Sequence, residues 1–198
     1  MSPLLIYNVD RKDNLLKNIQ RGESMKYSVN WIIWRAIIAP TICEACFSRN
    51  GKIYSYDDLI KIGEPQLHPN YRCRLERMQA IIAGNATELG TNGADWWIKY
   101  LNELPNYYIT RDEAEQMGWV KRKGNLASVA PGYMIFGGVY YNDDGKLPQK
   151  KGRIWYEADI NYKYGYRNNQ RLLFSNDGLI FVTYDHYGTF LEITGEEY

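Results

Sequence analysis

Two hydrophobic periodicities divide the second half of the chain. Trp96, Trp97, Tyr100, Leu101 and Leu104 recur at helical spacing until Pro105, which predicts an amphipathic helix over 94–104. Thr110-Arg-Asp-Glu113 is a capping-box pattern, and Gly118 closes the short helix that follows it. From Met134 onward the pattern changes to short β-rich runs. These are separated by Asn-Asp-Asp-Gly, Asn-Asn and Asn-Asp-Gly turn signals. Helices first and strands afterwards predict an α+β domain, N-terminal helices packed on a twisted antiparallel sheet. Upstream, the apolar run Trp31 to Ile42 is broken by Arg35 and Pro40. It is too short to span a bilayer and reads as a buried or partner-facing helix ending at Pro40. Turn formers crowd Gly84–Gly93, so the expected organisation is a small N-terminal module over 1–83, a linker over 84–93 and a second domain over 94–198.

The run Arg153 to Asn161 carries the candidate chemistry. Alternation places Arg153, Trp155, Glu157 and Asp159 on one face, with Ile154, Tyr156, Ala158 and Ile160 on the other. If Arg167 and Arg171 lie in one strand, their even spacing gives them a shared face as well. Taken alone, such charges are most often a solvated sheet surface whose pairs are worth under about 1 kcal/mol each. His186, one of two histidines, would by itself more often be structural than chemical.

The order of these segments changes that weighing. Tyr108-Ile-Thr110, Gly118-Trp-Val120, Lys123-Gly-Asn-Leu-Ala127, Gly145-Lys-Leu-Pro148, Glu157-Ala-Asp-Ile-Asn-Tyr162, Arg167-Asn168, Arg171 and Asp185-His-Tyr187 together resemble the barnase-like, guanyl-preferring microbial ribonucleases. The similarity runs ungapped from about Tyr108 to Phe190 within a domain of about 94–193. It implies metal-independent cleavage of single-stranded RNA through a 2′,3′-cyclic phosphate, with no catalytic cofactor. By that resemblance Glu157 is the general base and His186 the general acid. Arg167 and Arg171 clamp the phosphate, and Arg111 stands where the family usually has a lysine. Asn142, Asp143 and Asp144 form the guanine-reading loop, Lys146 lies beside it, and Tyr187 offers a ring for stacking. A base, an acid and fixed positive charge are the minimal set for this reaction.

Several positions depart from the family. Asp144 replaces a glutamate and Asp143 an arginine, so guanine preference is expected to weaken. Phe136-Gly-Gly138 stands where the family reads Gly-Gly-Asp, and Gly178 replaces a tryptophan that packs on the first helix.

A net charge of +1 over 198 residues is low for a protein that binds a polyanion, so positive charge must be local. Lys121-Arg-Lys123, Lys146, Lys150, Lys151 and Arg153 can supply it or serve as ordinary surface cations. Cys43, Cys46, His68 and Cys73 have the spacing of a structural zinc site, and reduced thiols are the alternative. The surrounding Trp31, Trp34, Asn50-Gly-Lys-Ile-Tyr54 and Leu67-His-Pro-Asn-Tyr-Arg-Cys73 resemble the C-terminal module of phage minor head proteins, over about 30–75. Such modules also precede toxin domains in polymorphic toxins. The combination implies a delivered or secreted effector acting in a target-cell cytoplasm, with RNA as substrate, an acidic barstar-like inhibitor or immunity protein, and a delivery or phage-particle partner. Met1-Ser-Pro-Leu-Leu-Ile-Tyr7 has no secretory-signal pattern, and no membrane insertion is expected. The rival reading is a particle-docking protein whose nuclease-like half only binds RNA.

Overall fold

The computed structural model describes residues 26–37, 42–62 and 73–195. The chain forms two compact units, one of residues up to Gln79 together with Asn142–Lys150, the other of Ala80–Tyr141 and Lys151 onward. The architecture is mixed α+β. Among the described residues no helix is long and apolar enough to cross a membrane.

In the first unit, β1 (Lys26–Ala36) pairs antiparallel with β2 (Ile53–Ser55), Trp31 opposite Ser55 and Ile33 opposite Ile53. The expected helix over the Trp31 run is therefore a strand. Its aromatic and β-branched side chains suit a pleated surface, and Trp31, Ile32, Ile33 and Trp34 are all buried. Short helices α1 (Glu44–Arg49) and α2 (Tyr56–Ile62) follow the strands, and a core of Ile32, Trp34, Cys46, Leu59 and Cys73 joins them.

Cys43 caps α1, its Sγ accepting from the Cys46 amide at 3.3 Å. Burial, then hydrogen bonds with Cys73 and Cys43, pushes the Cys46 thiol up to about 12. All three cysteines are free thiols. Among the described residues no group of three or more His, Cys, Asp or Glu is arranged to hold a metal. The expected zinc staple thus has no support there, and its fourth ligand, His68, lies outside the described residues.

The loop Asn142–Lys150 is organised from within. Asn142, in the left-handed region at φ 52°, donates from Nδ2 to the Leu147 carbonyl and accepts the Leu147 amide on Oδ1 at 3.0 Å. Its side chain is spent on shaping the loop. The Lys146 carbonyl accepts the Ile53 amide at 2.8 Å, which fixes the loop's far end to β2.

In the second unit, β5 (Met134–Tyr140), β6 (Trp155–Asp159), β7 (Arg171–Ser175), β8 (Ile180–Thr183) and β9 (Leu191–Thr194) form an antiparallel series. Both flanks of this series are parallel. β4 (Tyr108–Thr110) pairs with β5, and Ala80–Ile82, the end of β3 (Cys73–Ile82), pairs with β9. Helix α4 (Arg111–Gln116) begins with the expected capping box, Thr110 accepting from the Glu113 amide while Glu113 accepts from the Thr110 amide. Such a cap is worth about 1 kcal/mol. Below it, Ala114, Trp119, Leu126, Ala130 and Ile135 make a core that includes α5 (Leu126–Val129).

Helix α3 (Ala94–Leu101) is shorter than the periodicity predicts and turns a different face inward. Ala94, Asp95 and Ile98 are buried, whereas Tyr100 and Leu101 are exposed. The organising group is Asp95. Fully buried, it accepts from the Gly84 amide at 2.6 Å, the Ala86 amide at 3.0 Å and Thr87 Oγ1 at 2.9 Å, which ties residues 84–87 to the helix start. Burial raises its carboxyl above the ordinary range, and the hydrogen bonds oppose that rise. Gly178 lies in the β7–β8 turn at φ 89°, a conformation that suits glycine, and a Cβ there would meet nothing within 4 Å.

Candidate active site

The site grows from β6, whose two carboxylates lie two residues apart and so share a face. That face is buried at both: Asp159 is fully enclosed and Glu157 nearly so. A buried carboxylate needs compensation, and the neighbouring elements supply it.

Asp159 lies opposite Arg171 in the β6–β7 register. Arg167 reaches the same carboxylate from the loop before β7, donating from Nε and Nη2 at 2.6 Å each. Arg171 Nε lies 3.1 Å from Asp159 Oδ1, and its Nη1 donates to the Asn168 and Gln170 carbonyls at 2.7 Å. The two arginines therefore share a carboxylate and not a strand. Two guanidiniums against one carboxylate leave a net charge of +1. Burial opposes protonation of Arg167, but the Asp159 pairing outweighs it and raises its pKa further. Asp159 is the residue that sequence reasoning missed. The available signal was its parity with Glu157, on a strand followed by two arginines.

Glu157 is held from two sides. Arg111 Nη2, at the start of α4, lies 3.3 Å from Oε1. Tyr187 donates its hydroxyl to Oε2 in a short hydrogen bond. Burial, followed by the Glu157 carboxylate, pushes the Tyr187 hydroxyl well above its ordinary value, so it remains a donor. Gly137 provides the room. β5 is bulged between Phe136 and Gly138, and a Cβ on Gly137 would lie 2.6 Å from Glu157 Cγ. Gly137, the one position of Phe-Gly-Gly that keeps the expected glycine, thus places a bare backbone against the carboxylate.

His186 and Tyr187 both occupy the left-handed region, at φ 57° and 67°. This is costly for bulky residues, and the surrounding loop over-determines it. Asp185 accepts from Thr183 Oγ1 at 3.0 Å, the Thr189 amide at 2.8 Å and Thr189 Oγ1 at 2.9 Å. Burial pushes its carboxyl up, but those hydrogen bonds win and hold it below the ordinary range. The Tyr187 amide donates to Thr183 Oγ1, and the His186 amide to the Asn169 carbonyl at 3.0 Å. His186 is left exposed, its ring 4.8 Å from that of Tyr187. Tyr187 also stacks on Tyr140 at 5.1 Å, a second aromatic that sequence reasoning did not single out. Its signal was position, at the end of a β-rich run two residues before the Asn-Asp-Asp-Gly turn.

Glu157, Arg111, Arg167, Arg171, His186 and Tyr187 all belong to the second unit, whereas Asn142, Asp143, Asp144 and Lys146 belong to the first. Within the loop, Asp144 accepts the Lys146 amide at 3.1 Å and pairs with Lys146 Nζ at 3.2 Å. Asp143 is exposed.

This geometry coincides with similarity to known proteins. A family model described as ribonuclease matches residues 98–194. A protein named Ribonuclease from Heyndrickxia coagulans is 54% identical over 100 residues, half of this chain and 91% of that protein. Ribonucleases from Bacillus intermedius and Bacillus pumilus are also 54% identical over 100 residues, and the matched segment spans 61% of each. Arg-flanked carboxylates beside an exposed histidine, within a segment more than half identical to ribonucleases, place the chain in the barnase-like microbial ribonuclease family, as an endoribonuclease.

Proposed function

We propose that this endoribonuclease cuts single-stranded RNA without a metal, by attack of the ribose 2′-hydroxyl on the adjacent phosphate. Glu157 takes the 2′-hydroxyl proton and His186 gives a proton to the departing 5′-oxygen. The 2′,3′-cyclic phosphate that forms is then opened by water with the two roles exchanged. Arg167, Arg171 and Arg111 stabilise the charge that builds on the phosphorane. The observation that carries this reading is the Glu157 carboxylate, gripped by Arg111 and Tyr187 on the face where Asp159 fixes two guanidiniums. Cleavage of an RNA dinucleotide in EDTA, with the cyclic phosphate followed by phosphorus NMR, tests it. Release of a 2′,3′-cyclic product supports the mechanism, and a strict requirement for added metal refutes it.

Gly137 gives a sharper check on the carboxylate's placement. Gly137→Ala is expected to lower kcat/KM by about 10²-fold, because a misplacement on the order of 1 Å is enough to do so. The thermal midpoint, measured in parallel, should change much less than the rate. Unchanged turnover would mean that the Glu157 side chain does not work from this position.

Guanine preference is proposed in weakened form. Asp144 can accept from a guanine edge, but it is a methylene shorter than the family's glutamate and is already paired with Lys146. Asp143 repels phosphate where the family carries an arginine. A charge-assisted contact of this kind is worth ~1.5–3 kcal/mol. Cleavage after guanosine should exceed cleavage after adenosine in dinucleotide kinetics, Asp144→Ala should abolish the difference, and Asp143→Arg should raise kcat/KM. Equal wild-type rates after both bases would show that the loop does not read the base.

The wider role proposed is that of a toxin-like effector with an N-terminal module over 1–83 ahead of a nuclease domain over 94–198. It would be restrained by an acidic inhibitor that pairs its carboxylates with Arg167, Arg171 and Arg111, and carried by a delivery or phage-particle partner. The support is the resemblance of residues 30–75 to phage-head modules.

A further inference from the structure

We infer that Lys121–Lys123 and the Tyr164–Tyr166 loop form an accessory subsite for single-stranded RNA, holding nucleotides beyond the pair that flanks the cleaved bond. This rests on the nuclease reading above.

Lys121, Arg122 and Lys123 make one 3-10 turn, and all three side chains are exposed. Among the described residues, none of them makes an ion pair. Three uncompensated cations in one turn repel one another, and a polyanion relieves that repulsion. Beside them stand two of the most exposed aromatics among the described residues, Tyr164 at 81% and Tyr166 at 69%.

The two segments are fastened together. Gly124 ends the turn at φ 59°, and a Cβ there would come within 3.0 Å of the Gly165 carbonyl carbon and the Tyr166 amide. The close approach therefore needs a glycine. Tyr166 donates its hydroxyl to the Arg122 carbonyl at 3.0 Å. Tyr162 donates to the Gly165 carbonyl at 2.9 Å and accepts the Ala127 amide at 3.2 Å. The two backbone segments and the Tyr166 ring are thus held side by side, which lowers the entropic cost of binding a strand across them. Lys163 is already paired with Glu88 at 2.7 Å, so it is not counted.

Open aromatic faces interleaved with cations are the chemistry that holds a single strand without reading its sequence, the rings stacking bases and the cations tracking phosphates. An acidic protein is the other partner such a surface can take, and the test separates the two. In sequence the loop runs directly into the arginine pair, since Arg167 follows Tyr166. With a net charge of only +1 on the whole chain, a local surface of this kind is where steering of RNA would reside.

The test compares a guanosine-containing dinucleotide with oligonucleotides extended by three residues on its 5′ or 3′ side. Arg122→Ala/Lys123→Ala and Tyr164→Ala should each lower kcat/KM on one of the extended substrates by about fivefold or more, while dinucleotide cleavage stays within about twofold. Equal losses on short and long substrates, or no loss on either, would overturn the subsite. Anisotropy with an uncleavable 2′-O-methyl oligonucleotide reads the patch independently of catalysis. Weaker binding by the variants supports the subsite even if the wild type cuts nothing, which would sink the nuclease reading alone. Unchanged oligonucleotide affinity with weakened poly-glutamate binding would assign the surface to an acidic protein and refute the proposal.

Discussion

Glu157→Ala and His186→Ala are each expected to lower RNA cleavage by at least about 10²-fold, equivalent to ~2.7 kcal/mol of transition-state stabilisation. The surroundings explain why these two side chains should be so sensitive. Glu157 is nearly enclosed, and its oxygens are engaged by Arg111 and Tyr187, so its orientation is fixed before substrate arrives. His186 is exposed on a loop whose backbone is locked by Asp185, Thr183 and Thr189. One group is oriented by burial and the other by a rigid loop. Thermal unfolding and far-UV spectra should show both variants folded. Retention of full activity in both would end the acid–base assignment.

Much of this arrangement was legible in the chain, and the parts that were not have physical reasons. Thr110 to Glu113 announced its helix because a capping box is a local device, complete within four residues. Strand β6 was legible as alternation, and the shared parity of Glu157 and Asp159 survives in the fold. Periodicity could not reveal that this carboxylate face is buried. It assigns sides, and the Asp159 pairing that permits burial comes from Arg167 and Arg171, which lie beyond the strand. The stretch around Trp31 misled because a short apolar run fits a buried helix and a buried strand equally well. Its β-branched and aromatic content was the better guide. For α3, the apolar stripe pointed to tryptophans and Leu101, whereas the buried Asp95 decided which face turns inward. The parallel flanks of the second unit rest on pairings such as Ala80 with Glu192, whose sequence separation leaves no local trace.

Asp159→Asn is expected to cost about 3–5 kcal/mol of stability, because it removes the buried carboxylate charge that two inward-reaching guanidiniums share. The amide keeps the shape and one acceptor but not the compensation. Arg167 would then face a neutral group from a largely buried position, and Arg171 would keep only its carbonyl partners. The thermal midpoint should fall by on the order of 10 °C or more, given ~4–8 °C per kcal/mol for a domain of about 100 residues. Function should suffer separately from folding. Assayed well below the lowered midpoint, kcat/KM should drop by at least about tenfold, since the guanidiniums are no longer held where the proposed mechanism seats the phosphate. Inorganic phosphate should also bind more weakly, a readout that does not depend on turnover. Asp159→Ala, which vacates the space as well, should be worse on stability and no better on phosphate affinity. A variant that loses stability yet binds phosphate and cleaves RNA as the wild type does would confine Asp159 to folding and show that the arginines find their positions without it.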